Sequence, residues 1–250
     1  MQWTDEGIVL GAAAHGEGSA IAELFTRERG RWRGLVRGGA SRRMRPVLQA
    51  GNLVRATWAA RLEEQLGGFR LEPLSLRAGR WLEEGFSLAG LSVLVADLRL
   101  LPEREAHWAL HAGALLVLDH LEEAEVWPAL LARFELRLLA DLGFGLDLER
   151  CAASGSREAL HWVSPRSGRA VSAAAAAGLE GRLLPLPGFL RGDDAAPGRA
   201  EMAAALELTG FFLRRRVLEP RGLVPPLERD WILQELAGSG GGTESERRSG

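Results

Sequence analysis

The sequence predicts an α+β protein in which a five-stranded barrel precedes a mainly helical region that carries an irregular insert. Short alternating segments fill residues 8–76, and long Leu- and Ala-rich segments with helical spacing follow them. Gly, Ser and Pro interrupt the helical spacing between residues 147 and 198. We therefore expect a barrel domain at 1–78, a helical domain at 79–237 with the insert at about 147–198, and a disordered tail at 238–250.

The predicted barrel strands are short and alternate between apolar and polar residues. They lie at residues 8–12, 19–26, 31–37, 53–61 and 69–76. The segment from Arg27 to Gly30 is typical of a hairpin turn, because glycine adopts the left-handed conformation without strain. Five such strands in about 70 residues predict a small closed barrel, and the OB-fold is the common barrel of that size that binds single strands.

The predicted helices follow the barrel and flank the insert. They lie at residues 81–101, 105–121, 127–142, 199–217 and 226–237. Pro102 and Pro128 suit the first turns of the second and third helices, and Pro220 suits the end of the fourth. Gly143 and Gly145 follow the third helix, where a C-terminal cap is expected.

Composition excludes several classes of protein. All 31 basic residues are Arg, so lysine-dependent phosphate loops, Schiff bases and biotin attachment are excluded. No apolar run approaches the ~20 residues that a membrane-spanning helix needs. Cys151 is the single cysteine, and no signal-peptide pattern opens the chain, so we expect a cytoplasmic protein without disulfides.

The net charge of −2 conceals a basic cluster near the N-terminus. Residues 27–45 contain eight arginines against one acid, Glu28, whereas residues 97–149 are rich in Asp and Glu. Glycines and guanidinium groups together favour phosphate contact, although a solvated surface loop has the same composition. The predicted nucleic-acid-binding residues are Arg31, Arg33, Arg37, Arg42, Arg43, Arg45 and Arg55. Trp32 and Trp58 either stack on bases or fill the barrel core.

Signals for catalysis and metal binding are weak. His107 and His111 lie four residues apart, but the glutamate of an H-E-x-x-H motif is missing. The segment around Ser87 misses the G-x-S-x-G pattern, and Gly143-Phe-Gly145 lacks the third glycine of a dinucleotide motif. We expect neither an enzyme nor a bound cofactor.

Two arginines on the third predicted helix form a cationic edge. Arg133 and Arg137 lie four residues apart beside Phe134, so both face the same side. An amphipathic core helix explains this pattern, and so does a site for an acidic peptide that ends in an aromatic residue.

The order of several short motifs resembles that of the RecO family of DNA repair proteins. The motifs are Gly16-Glu-Gly-Ser-Ala20, Leu24-Phe-Thr-Arg27 to Gly30, Gly38-Gly-Ala-Ser-Arg-Arg43, Leu48-Gln49, Arg133-Phe-Glu-Leu136 and Leu142-Gly-Phe-Gly145 before Cys151. The resemblance implies an N-terminal OB-fold and a helical domain interrupted by an irregular module. Some members hold zinc there, and the matching positions here are Cys151, Ser154, Ser172 and Ala175. A lone thiolate cannot close a tetrahedral site, so we expect no zinc, with packing around Leu160, Trp162, Val163 and Leu183 holding the module.

The resemblance also implies a role in recombinational repair. Members anneal complementary strands coated by single-strand-binding protein and, with the partner RecR, help RecA to load. Arg133 matches a position that the family uses near its pocket for the acidic C-terminal tail of single-strand-binding protein, and Arg137 is added by proximity. We expect binding to single- and double-stranded DNA, in the cytoplasm and associated with the nucleoid. The alternative is a protein–protein adaptor without direct DNA contact.

Overall fold

A computed structural model describes residues 1–62, 64–81, 83–193 and 195–238 of the chain. It divides into two compact units, Met1–Gly145 and Leu146–Gly250. The predicted barrel domain at 1–78 lies within the first unit, together with four helices. The domain boundaries that the sequence places at residues 78 and 238 remain predictions.

Five strands form the closed barrel that the sequence predicts. They are β1 (Gln2–His15), β2 (Ser19–Thr26), β3 (Gly30–Val36), β4 (Leu53–Ala59) and β5 (Gly68–Ser75). Their order around the barrel is β1-β2-β3-β5-β4, and only the β3–β5 pair is parallel. β1 begins at Gln2, six residues before the predicted strand, because its first half pairs with β4 and its second half with β2.

Alternation of side chains builds the barrel core. Along β4, Val54, Ala56 and Trp58 are fully buried, while Arg55 and Ala59 are exposed. The predicted turn before β3 is confirmed, with Gly30 at a φ of 68°. A Cβ on Gly30 would lie 1.8 Å from the carbonyl oxygen of Glu105, so any side chain here would displace that segment.

Four helices complete the first unit. They are α1 (Ala78–Trp81), α2 (Gly85–Leu98), α3 (Trp108–Asp119) and α4 (Trp127–Asp141). Pro128 occupies the first turn of α4 as predicted. The assignment of Pro102 to a first turn is wrong, because Pro102 lies six residues before α3. Leu100 and Leu101 extend the apolar pattern beyond α2, yet they are buried outside any helix.

The second unit contains a small sheet and two longer helices. Its elements are β6 (Leu160–Val163), β7 (Ala170–Ser172), α5 (Ala173–Ala176), β8 (Leu184–Pro185), α6 (Arg199–Leu213) and α7 (Glu228–Gly238). The sheet order is β7-β6-β8, within the segment predicted to be irregular. The predicted helix over 199–217 ends as α6 at Leu213 and continues as a π-helical turn, Arg214–Leu218. Within the predicted tail, Gly238 belongs to α7 and residues 239–250 lie outside the described residues.

Candidate nucleic-acid interface

The basic loop, residues 37–46, is an ordered turn anchored to the barrel. Backbone hydrogen bonds run from the amides of Met44 and Arg45 to the carbonyl of Ser41, at 3.1 and 3.0 Å. The amide of Ala40 donates to the carbonyl of Gly18 at 3.3 Å, which fixes the loop beside the β1–β2 turn. Buried Asn52 donates to the carbonyls of Pro46 and Val47, at 2.7 and 3.3 Å. The loop therefore presents its side chains from a fixed backbone.

Four guanidinium groups on the basic loop are exposed and lack acidic partners. Arg37, Arg42, Arg43 and Arg45 are all exposed, and none forms an ion pair with the residues that the structure describes. One Arg45 donor, Nε, is used within the loop, on the carbonyl of Ala40 at 3.1 Å. Four positive charges within ten residues, with no acidic partner among the described residues, give this loop a positive electrostatic potential.

The barrel topology brings one further arginine to the same end. The amide of Leu35 donates to the carbonyl of Gly67 at 3.0 Å, so the β4–β5 loop lies beside the end of β3. Arg61, in that loop, is exposed and was not among the predicted site residues. The sequence places Arg61 at the end of the predicted strand 53–61, on the same face as Arg55, and the β3–β5 pairing brings the loop that holds it beside the end of β3, which the basic loop follows.

Arg31 is not retained as a nucleic-acid contact, because its side chain is used inside the protein. Nε and Nη2 donate to Glu23 at 3.2 and 2.9 Å, and Nη1 donates to the carbonyls of Arg99 and, at 2.6 Å, Leu101. Only 10% of the side chain is exposed. Burial, the largest single cause, raises the pKa of the Glu23 carboxyl, but the hydrogen bonds donated by Arg99 and Arg31 and the positive charges of these two residues outweigh it, so the pKa is lowered. Arg31 thus ties β3 to the segment after α2.

Acidic neighbours reduce the charge around two other predicted residues. Arg33 lies 3.3 Å from Glu103 and 3.7 Å from Glu23. Arg55 on β4 pairs in register with Glu6 on β1 and with Glu72 on β5. Side chains directly across antiparallel strands lie about 5 Å apart, so each carboxylate offsets the Arg55 charge. Both arginines are exposed, but they add less to an anion-binding surface than the basic loop does.

Trp32 and Trp58 belong to the barrel core. Their exposed fractions are 3% and 0%, and their ring centroids lie 5.2 Å apart. Trp3 contacts both rings, with centroids at 5.3 and 5.8 Å, and Trp58 donates its indole N–H to the carbonyl of Leu66 at 3.0 Å. The core interpretation is therefore the correct one of the two, since a base could stack on neither face.

Arg133 and Arg137 lie beside an apolar groove between α3 and α4. This groove has a volume of about 190 Å³, and we call it the acidic-peptide groove after the ligand that is proposed for it below. Its lining residues are Ala109, Leu110, Gly113, Leu116, Leu130, Arg133, Phe134 and Arg137. A Cβ on Gly113 would lie 3.4 Å from the ring of Phe134, which is van der Waals contact, so a side chain larger than a methyl group would take up space beside that ring. One apolar wall and one cationic wall can accept a peptide with a hydrophobic side chain and a carboxylate.

Of the four positions that correspond to zinc ligands, one carries a thiol, and that thiol is hydrogen-bonded. Cys151 is buried, and its sulfur accepts bonds from the amide and hydroxyl of Ser172 at 3.3 and 3.4 Å. Hydrogen bonds from Ser154 and Ser172 lower the pKa of this thiol to about 6. Ala175 lies in α5 and supplies no ligand atom. Of the four residues predicted to pack the module, Leu160 and Val163 are buried, while Trp162 and Leu183 are half-buried.

The two histidines at helical spacing have separate surroundings. His107 Nδ1 lies 3.2 Å from Asp141, whereas His111 is buried against Phe25, with ring centroids 5.7 Å apart. Burial lowers the pKa of His111 to about 4. Within the described residues no three His, Cys, Asp or Glu side chains come together as a metal site would require. No described helix is long and apolar enough to cross a membrane.

Comparisons with known proteins cover most of the chain. Family models described as "Recombination protein O N terminal" and "Recombination protein O C terminal" match residues 1–76 and 88–223. A protein named DNA repair protein RecO from Chelativorans sp. is 54% identical over 234 residues, covering 93% of this chain and 94% of that protein. Proteins of the same name from Methylobacterium nodulans and Methylorubrum extorquens are 53% and 51% identical, covering 93% and 92% of this chain and 97% and 96% of the relatives.

Proposed function

This chain belongs to the RecO family of DNA repair proteins, and we propose that it binds single- and double-stranded DNA and anneals complementary strands. In the same proposal it helps RecA to load onto strands coated by single-strand-binding protein. In this proposal the protein acts in the cytoplasm, and it associates with the nucleoid because DNA is its ligand. It carries out this role by binding alone, without catalysis or a cofactor.

The basic loop is the observation that carries the DNA-binding proposal. Four exposed arginines without acidic partners project from an ordered turn at one end of the barrel, and Arg61 lies at the same end. Guanidinium groups bind phosphate oxygens in a fork, and each phosphate neutralised releases counterions. Neutralising two strands at once offsets their mutual repulsion, which is the electrostatic barrier to annealing. Arg33 and Arg55 remain proposed contacts of lower weight.

The acidic-peptide groove supports the proposed protein partners. An apolar pocket with Arg133 and Arg137 on one wall fits the C-terminal tail of single-strand-binding protein, which is acidic and ends in an aromatic residue. Recruitment by this tail would bring the basic loop to coated strands. RecR is the second proposed partner, as the family resemblance implies, and RecA is reached indirectly.

The DNA-binding proposal is tested by fluorescence polarisation of labelled single- and double-stranded oligonucleotides across a salt series. The test variant replaces Arg42, Arg43 and Arg45 by Ala. For single strands the slope of log affinity against log salt is about −0.7 per phosphate contacted, so three lost contacts flatten it by about 2.

A matched control removes the same charge elsewhere on the surface. Arg27, Arg80 and Arg157 are exposed and lie 3.3, 3.9 and 3.9 Å from a carboxylate. The triple alanine variant at these positions is expected to bind DNA almost as the wild type does. If both triple variants lose affinity equally, net charge explains binding and the basic loop is not the site. Strand annealing, measured with complementary labelled strands, should fall in the basic-loop variant alone.

The second candidate function is a protein–protein adaptor, favoured by the acidic-peptide groove. On that view the arginines of the basic loop are a solvated surface. The adaptor predicts that the wild type fails to bind DNA even at low salt, and that the basic-loop variant still supports repair.

A further inference from the structure

Three side chains form a chain of contacts at one end of the acidic-peptide groove. Arg137 Nε donates to Asp141 Oδ1 at 2.6 Å, and His107 Nδ1 lies 3.2 Å from Asp141 Oδ2. A carboxylate only accepts hydrogen bonds, so Nδ1 of His107 carries a proton and donates it. Asp141 therefore receives one hydrogen bond on each of its oxygens.

These contacts connect the two helices that line the groove. Asp141 is the last residue of α4, and His107 directly precedes the first residue of α3. The side chains of His107 and Asp141 are 9% and 14% exposed, while that of Arg137 is 56% exposed. The His107–Asp141 pair is therefore largely shielded from solvent, whereas the guanidinium group of Arg137 is accessible to a ligand.

Helix stability alone does not account for Asp141. A carboxylate at the C-terminus of a helix faces the negative end of the helix dipole, which disfavours it. The i,i+4 pair with Arg137 also has the acid on the C-terminal side, and the reverse orientation stabilises a helix better. Asp141 does, however, accept a hydrogen bond from Arg137, which lines the groove.

We propose that Asp141 is a positioning residue for the acidic-peptide groove, which orients Arg137 toward a carboxylate of the bound peptide and is itself oriented by His107. This inference rests on the proposed function of the groove. By using Nε, Asp141 leaves both terminal nitrogens of Arg137 for the ligand. The guanidinium group then loses little side-chain freedom when the peptide binds.

The proposal makes a prediction opposite in sign to simple electrostatics. Asp141 carries a negative charge next to a site for an acidic peptide, so repulsion alone predicts that Asp141→Asn tightens binding. A positioning role predicts the reverse, because the amide holds the guanidinium group less firmly than the carboxylate does. The sign of the change therefore distinguishes the two roles.

The experiment measures binding of a fluorescein-labelled acidic peptide that ends in Phe with a free carboxyl group. The same peptide with an amidated C-terminus shows how far the terminal carboxylate contributes. We expect Asp141→Asn to weaken binding about three- to tenfold, Asp141→Glu to restore part of the affinity, and His107→Ala to weaken it less than Asp141→Asn. In an Arg137→Ala background, Asp141→Asn should have no further effect, which a merely structural role would not produce.

Asp119→Asn is the matched control. Asp119 is the last residue of α3 and pairs with Arg77 at 2.8 Å, and it does not line the groove. This variant should bind the peptide as the wild type does, or slightly more tightly. If the wild type fails to bind either peptide, the proposed function of the groove is wrong. If the wild type binds and Asp141→Asn binds as tightly or more tightly, the groove stands and the positioning role is refuted.

Discussion

Burial of His111 predicts that the stability of the protein depends on pH. The residue is 3% exposed, and burial lowers the pKa of its imidazole to about 4 from the ordinary value of 6.5. Asp5 opposes this shift and Arg27 adds to it, but burial is the largest cause. Replacing His111 by Leu introduces an apolar side chain of similar size and removes the titration.

The sign follows from which state binds the proton. Between pH 6.5 and 4 the unfolded chain takes up a proton on His111 that the folded chain does not, so acid favours unfolding. Above pH 6.5 His111 is neutral in both states and costs the folded protein no stability. The free energy of unfolding then decreases as the pH falls from 6.5 toward 4. Each pKa unit corresponds to about 1.4 kcal/mol, so the full effect is about 3 kcal/mol, of which about 2 kcal/mol is lost by pH 5.

The assay is urea unfolding followed by tryptophan fluorescence at pH 8 and pH 5. The free energy of unfolding should fall between the two pH values by about 2 kcal/mol more in the wild type than in His111→Leu. His15→Leu is the control, because His15 is exposed at the end of β1. An equal fall in the wild type and His111→Leu would refute the linkage to His111.

Two further predictions concern the groove and the barrel. Gly113→Val should weaken binding of the acidic peptide by about tenfold, since the added methyl groups fill space beside Phe134, and should change Tm by only about 4 °C. Calorimetric titration measures the affinity, and an unchanged affinity would show that the peptide binds elsewhere. Arg31→Met should lower the free energy of unfolding by about 2 kcal/mol, because two backbone carbonyls lose their donor and half-buried Glu23 keeps Arg99 as its remaining hydrogen-bond donor. The same variant should keep the DNA affinity of the wild type in polarisation, and a stable variant with lost DNA binding would return Arg31 to the interface.

The barrel could be predicted because burial alternates along its strands. The sequence shows that apolar and polar residues alternate along β4. The apolar positions Val54, Ala56 and Trp58 form the face that lies inside the barrel. The start of β1 was missed although Gln2, Thr4 and Glu6 are exposed at alternate positions. Charged residues at both Asp5 and Glu6 hide the pattern, and pairing with β4 overrides local preference.

Helix ends and the first-turn assignment of Pro102 failed for a different reason. Leu100 and Leu101 continue the apolar spacing of α2, but they are buried in the segment that Arg31 holds by its bonds to backbone carbonyls. Apolar residues in such a segment satisfy packing without a helix. Periodicity records burial and cannot tell which backbone conformation provides it.

The basic cluster of the sequence is not one cluster in the structure. Glu23 and Glu103 neutralise Arg31 and Arg33, although Glu103 lies far along the chain. The charges of the basic loop are not neutralised in this way, because its arginines form no ion pair with an acid in the described part of the chain. Charge counting along a sequence therefore finds candidates, and only the pairing found in the fold sorts them.

An ion pair with an acid has opposite meanings at Arg31 and Arg137. Arg31 directs four of its five N–H donors to groups inside the protein, its Nη2 also lies 3.6 Å from Glu103, and its side chain is 10% exposed, so little remains for a ligand. Arg137 gives Nε to Asp141 and stays 56% exposed beside an apolar groove. In the first case the acid completes the fold, and in the second it orients a donor that the fold does not use. Counting the donors left over, together with exposure, separates an arginine that stabilises the protein from one prepared for a partner.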